Sequence, residues 1–163
     1  MTADSVLPAT GSGAAQLFTF QYSNTTPASS FTMVFGLVSS SLDPANACFF
    51  QYNVTTNTVY LYANSGGGVV AGTLTPGSGG VYNSQCTIAG AGFTTAVSPT
   101  QVTINVPISF NPGFAGAKYT YGYGMNSLGQ ISGWTQLGTW TVVVGPSPDW
   151  VSPASGSGSG GTF

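Results

Sequence analysis

Period-two alternation of apolar residues constrains this chain more than any other feature. In "FTMVFGLV", Phe31, Met33, Phe35 and Leu37 fall on one face; in "ACFFQYN", Cys48, Phe50 and Tyr52 do. Val59 and Leu61 oppose Tyr60 and Tyr62 in "TVYLYA". Val102, Ile104, Val106 and Ile108 alternate with polar residues or Pro107, and Tyr119, Tyr121, Tyr123 and Met125 share a side of "KYTYGYGM". "LGTWTVVV" closes the series. Such runs read as half-buried β-strands, and Pro107 is expected to make its strand an edge or a bulged one. No stretch keeps a helical period for three turns.

Turn chemistry separates the runs. Asp43-Pro44, "NSGGG" at 64–68, "PGSGG" at 76–80, "GAG" at 90–92, "NPG" at 111–113 and "NSLGQ" at 126–130 all stand between alternating segments. "QYNVTTNTVYLY" reads as a hairpin with a four- or five-residue loop. About seven to nine short strands with frequent turns predict an all-β, immunoglobulin-like β-sandwich. The Cys–Trp–Cys spacing of antibody domains is missing, because no Trp lies between Cys48 and Cys86. Two cysteines in a loop-rich chain full of Ser, Thr and Asn suggest a disulfide. Two buried free thiols are the alternative.

Composition narrows the function. The 163 residues carry a hydrophobic share of 42%, enough for a core, but a charged share of only 2%, against about 25% in an average domain. The charges are Asp4, Asp43, Asp149 and Lys118, with no Glu, Arg or His. General acid–base catalysis, a His/Cys metal site and a basic nucleic-acid surface each need side chains that this inventory lacks. The chain therefore does not read as an enzyme, a metalloprotein, a cofactor carrier or a nucleic-acid binder. No apolar run reaches the length of a membrane helix, so no membrane insertion is expected. "MTADSVLPATGSG" has neither a cationic start nor an apolar run, so it does not read as a signal peptide. A surface held by hydrogen bonds rather than ion pairs should be almost indifferent to salt and pH.

The end of the chain repeats its beginning. "DSVLPATGSGAAQLF" at 4–18 returns as "DWVSPASGSGSGGTF" at 149–163, each pair 145 positions apart without a gap. Asp4, Val6, Pro8, Ala9, Gly11, Ser12, Gly13 and Phe18 match Asp149, Val151, Pro153, Ala154, Gly156, Ser157, Gly158 and Phe163. A Gly/Ser string alone means little, since low complexity recurs by accident, but Asp, Val, Pro and Phe held in the same register mean more. The reading is a repeat of about 145 residues, natural for beads on a string. On this reading residues 1–15 are a linker or strap, 16–145 the sandwich, and 146–163 a second linker. Three pictures remain open. The chain is a bead of a tandem array, or a subunit whose tail docks on the next copy, or a domain with a flexible Gly/Ser tail. Val6, Pro8, Asp149, Trp150, Val151, Pro153 and Phe163 are the candidate contacts between neighbours.

The strings "NACFFQYNVTTNTVYLYANSGGG", "NSQCTIAGAGFTT" and "FNPGFAGAKYTYGYGMNSLGQISGWTQLGTWTV" resemble the immunoglobulin-like repeats found in tandem in large exported bacterial surface proteins. The likeness covers roughly residues 40–145 and is sharpest at "NSQCTI" (83–88), "FAGAK" (114–118) and "SGWTQLGTWTV" (132–142). It implies a β-sandwich, a cysteine pair at Cys48 and Cys86, a structural or adhesive role, and no catalytic residues. The chain departs from the pattern in its first 40 residues and in its near absence of charge.

Some residues invite sharper readings. Lys118, the only cation, could pair with Asp43, or form an isopeptide bond with an Asn or Asp as in some bacterial pilin domains; an ordinary exposed Lys is the plain alternative. Asn24 ("NTT") and Asn53 ("NVT") are glycosylation sequons. Tyr60, Tyr62, Tyr119, Tyr121, Tyr123, Trp134, Trp140 and Trp150 could stack sugars, as in a carbohydrate-binding accessory module, or could fill the core. The leading expectation is a secreted, cell-surface structural bead, partnered head to tail by copies of itself and in second place by cell-surface glycans.

Overall fold

Alternation such as that of "QVTINVPISF" places every second side chain on one face, and burial of that face selects a partner sheet. A computed structural model describes residues 1–26 and 29–143. Its strands are β1 (Thr2–Leu7), β2 (Ser12–Gly13), β3 (Ala15–Ser23), β4 (Phe31–Ser39), β5 (Cys48–Asn53), β6 (Thr58–Tyr62) and β7 (Val70–Leu74). Then come β8 (Gly80–Tyr82), β9 (Cys86–Ala89), β10 (Thr94–Val97), β11 (Gln101–Phe110), β12 (Gly116–Asn126) and β13 (Thr135–Val142). A 3-10 turn at Pro112–Phe114 leads into β12.

The strands form two facing sheets, an all-β sandwich. The first has the order β1-β3-β11-β9-β8, with β10 also on β11; the second has the order β2-β13-β12-β4-β5-β6-β7. Inward residues of both make one core. Phe18, Phe20 and Tyr22 come from β3, Phe50 from β5, Leu61 from β6, and Ile104 and Ile108 from β11, all at most 1% exposed. Two glycines admit close packing between the sheets. A side chain at Gly36 would collide with the Phe50 ring, and one at Gly122 would collide with Leu137 and crowd Ala3. The expected hairpin is present, with loop 54–57 between β5 and β6 and Asn57 in the left-handed region (φ 53°).

Two expectations are corrected. Pro107 does not lie in an edge strand: β11 is central, paired with β3 along its length. On its other side, β11 pairs with β10 over Val102–Asn105 and with β9 from Ile108 to Phe110. Pro107 falls in the gap between these two partners, where a missing N–H breaks no ladder. Nor is the stretch 1–15 a linker. β1 pairs antiparallel with β3, and Val6 is 1% exposed. The chain then crosses to the other sheet, where β2 runs parallel to β13. The sandwich therefore begins at residue 2 rather than 16.

The core also sets the response to alkali. Tyr22 donates its hydroxyl proton to the Phe35 carbonyl (2.7 Å), and burial holds its phenol well above the usual range. Burial raises Tyr62 and Tyr121 as well, with a smaller push from Tyr60 and Tyr119 respectively. Phenols that keep their protons more tightly when folded stabilise the fold below the unfolded value of roughly 10 and lose that contribution above it. Stability should therefore fall as pH rises beyond about 10. Urea titrations across that range check the sign; stability that rose there would contradict it.

Candidate functional site

The N-terminal segment occupies a built seat. After β1, the carbonyls of Ala9, Gly11 and Gly13 accept the N–H groups of Thr139 (2.9 Å), Thr141 (2.9 Å) and Val143 (3.3 Å). Trp140 of β13 covers this strap and donates its indole N–H to the Gly13 carbonyl (3.1 Å). Its ring leaves no room for a side chain at Gly11: a Cβ there would lie 2.7 Å from Cζ3. A side chain at Gly138 would collide with the Ala9 carbonyl. Phe18 packs edge-on against Trp140, centroids 5.1 Å apart. Asp4 lies in β1, its carboxylate accepting the hydroxyls of Thr2 (2.6 Å) and Ser23.

The residues that the two ends of the chain share include every buried position of 4–18. Val6 and Phe18, the buried positions of 4–18, recur as Val151 and Phe163. The glycines against Trp140, Gly11 and Gly13, recur as Gly156 and Gly158. The changed positions are Ser5, Leu7, Thr10, Ala14, Ala15, Gln16 and Leu17, every one exposed or half-exposed. Every difference between 4–18 and 149–163 thus falls at a position that 4–18 leaves at least partly exposed, although exposed Asp4, Ala9 and Ser12 are matched as well. Asp149, Trp150, Val151, Pro153 and Phe163 themselves lie outside the described residues.

Cys48 of β5 and Cys86 of β9 form a disulfide with Cα atoms 5.7 Å apart, fully buried and joining the two sheets. Lys118 and Asp43 are not brought together. Lys118 Nζ stands 4.2 Å from the centre of the Phe114 ring, a cation–π contact, while Asp43 Oδ1 accepts the Ala45 N–H (2.9 Å).

Asn24 of the "NTT" sequon lies inside the fold. It is 2% exposed, and its amide nitrogen donates to Ser29 Oγ (2.8 Å) and the Pro99 carbonyl (3.1 Å). Its Oδ1 accepts from Asn126 Nδ2 (3.2 Å), which also reaches Gln130 Oε1 (2.8 Å). Asn126 Oδ1 in turn takes the N–H groups of Leu128 and Gln130, both at 3.0 Å. This buried network ties the end of β3 to the loop after β12. Asn126→Ala should destabilise the protein by about 2–3 kcal/mol, since several partners are left unpaired at once; chemical denaturation measures it. Asn53, at the mouth of the β5–β6 hairpin, is half-exposed and accepts the Thr56 N–H (3.0 Å).

The aromatic residues divide between two places. Trp140 belongs to the core at 3% exposure. On the outer face of the second sheet, Tyr62, Phe49, Phe35 and Tyr123 form a row across β6, β5, β4 and β12, with centroids 4.4, 5.9 and 5.5 Å apart in turn. Trp134 leans over the row, 5.7 Å from Phe49 and 5.2 Å from Tyr123. The stacked rings turn their faces to one another, which uses them for packing. Phe35 is legible only as an alternating apolar residue and Phe49 falls outside the alternating set of its strand, because nothing local says which face meets solvent.

Among the described residues, no helix is long and apolar enough to cross a membrane. Comparison with protein-family models, with curated proteins and with solved structures finds no match to this chain.

Proposed function

We propose that this chain is a structural module joined in series with copies of itself through its terminal segments, as a bead of an extracellular bacterial fibre, surface layer or adhesin stalk. The observation that carries the reading is the agreement of 149–163 with 4–18 at the positions that β1, β2 and the start of β3 bury or press against Trp140. A segment that retains Val, Gly, Gly and Phe at those places has the sequence of a second strap. Between Val142 and Ser147, the counterpart of Thr2, stand only four residues, Val143-Val144-Gly145-Pro146. So short a connection, closed by Pro, suits consecutive modules better than a long tether. The buried disulfide suits an oxidising, extracellular setting. Likeness of fold alone would not carry a function.

The test continues the chain past Phe163 with a second copy of residues 19–143. The expected product resists proteolysis at twice the module's mass and shows an elongated profile in solution scattering. Val151→Ser with Phe163→Ser should return the second half to rapid digestion. A second half digested in both chains would overturn the serial reading.

A further inference from the structure

A cleft lies on the far side of the sandwich from the strap. There β7 ends the second sheet and β8 ends the first, each with one edge unpaired. The chain crosses between them through residues 75–79. Beyond that crossing a hollow of about 410 Å³ opens, and a second of about 290 Å³ continues along the two edges, sharing Ala71 and Tyr82. Tyr82 stands at the junction, 74% exposed. A ring so far out in water contributes almost nothing to the core.

The wall beside Tyr82 sets amides and a hydroxyl, fixed in place, among the methyl groups of Ala63 and Ala71. Asn64 and Ser84 hold each other by two bonds: Asn64 Nδ2 donates to Ser84 Oγ (2.8 Å), and the Ser84 N–H donates to Asn64 Oδ1 (3.1 Å). Asn111 Nδ2 donates to the Ser84 carbonyl (2.9 Å) and the Asn83 carbonyl (3.3 Å). Beneath them, the buried Asn83 accepts the N–H groups of Gln85 (2.8 Å) and Cys86 (2.9 Å) and donates to the carbonyls of Ala47 and Tyr62 (both 3.0 Å). The disulfide at Cys86 anchors that turn to the opposite sheet. Bonding capacity is left over among the described residues: the Ser84 hydroxyl proton, a second Asn64 amide proton and Asn111 Oδ1.

We infer that this cleft is a binding site for a neutral saccharide, with Tyr82 as the stacking surface and Asn64, Ser84 and Asn111 as the hydrogen-bonding wall. The chemistry selects that class. No charged side chain lines either hollow, so nothing neutralises a phosphate or a carboxylate. A pyranose offers C–H groups to a ring face and hydroxyls to neutral donors and acceptors, which matches a ring beside amides. Walls held before the ligand arrives lose little conformational freedom on binding. The elongated pair of hollows suits a chain of sugars rather than a single one. In a serial array each module would present one such site, so weak sites would add by avidity.

The test is affinity electrophoresis of the full chain in gels containing galactomannan, xyloglucan, mixed-linkage β-glucan or α-glucan, with polygalacturonate as a charged comparison. Retardation by at least one neutral polysaccharide is expected, and it should be unaffected by salt. Tyr82→Ala should weaken it by about tenfold or more, the size of one lost aromatic contact with its buried area. Asn111→Ala should weaken it in the same direction. Thermal melting of Tyr82→Ala should match that of the parent chain, because the side chain is so exposed. The inference falls if no neutral polysaccharide retards the chain, or if Tyr82→Ala leaves the retardation unchanged. It falls equally if Tyr82→Ala alters the oligomeric state and leaves no saccharide effect, which would make the two free strand edges a protein contact.

Discussion

Replacing both Cys48 and Cys86 by alanine should lower the unfolding free energy by about 4 kcal/mol in the chain-entropy account of a cross-link. The bridge spans 38 positions and ties β5 of one sheet to β9 of the other. Without it the unfolded chain gains the freedom of a long loop, while the folded chain keeps its ladders. Both sulfurs are buried, so alanine also leaves a small void and the loss should not be less than the entropic figure. In a chain of this size the melting temperature should fall by roughly 10 °C. Urea titration of the oxidised, reduced and doubly substituted chains measures the effect. A difference below about 1 kcal/mol would show that the bridge merely decorates a fold that its core already specifies. The Asn83 turn hangs from Cys86, so the same substitution should also loosen the Tyr82 cleft.

The second large effect is expected at Trp140. Its ring packs edge-on against Phe18, covers Gly11 and Gly13, and donates to the Gly13 carbonyl. Trp140→Ala should cost about 4 kcal/mol, in the range of large aromatic truncations in cores. The loss should also be local. The amides of Thr139, Thr141 and Val143 donate to the strap. Their hydrogen exchange should quicken more than that of Val34 or Phe50 in the middle of the second sheet. Gly138→Ala should release the same amides by a different route, since the added methyl meets the Ala9 carbonyl. Equal acceleration everywhere would mean that the strap unfolds only with the whole domain.

These two sites differ in how far they can be read from the chain alone. The cysteine pair is a matter of counting and surroundings, and a disulfide between the sheets is what forms. The terminal echo is equally plain in the string. What it means for the strap is not, because Gly11 and Gly13 matter only once Trp140, more than 120 positions away, lies on them. Residues 1–15 read as linker for the same reason: Pro, Gly and Ser mark irregular chain unless a partner strand is already there to pair with. Asn24 read as a sequon, and its partner Asn126 lies 102 positions away. Tyr82 carried no signal at all, since β8 is three residues long and shows no period.

The all-β class, the places of the turns, the poverty of charge and the register of the terminal echo are legible in the chain itself. All of these depend on neighbours within a few residues or on counting. The tertiary structure alone decided which face of β4 meets the core, how β11 accommodates Pro107, and which strand edges stay free. Those outcomes depend on pairings such as Ser23 with Gln101, whose loop-closure cost is repaid only when the whole sandwich closes.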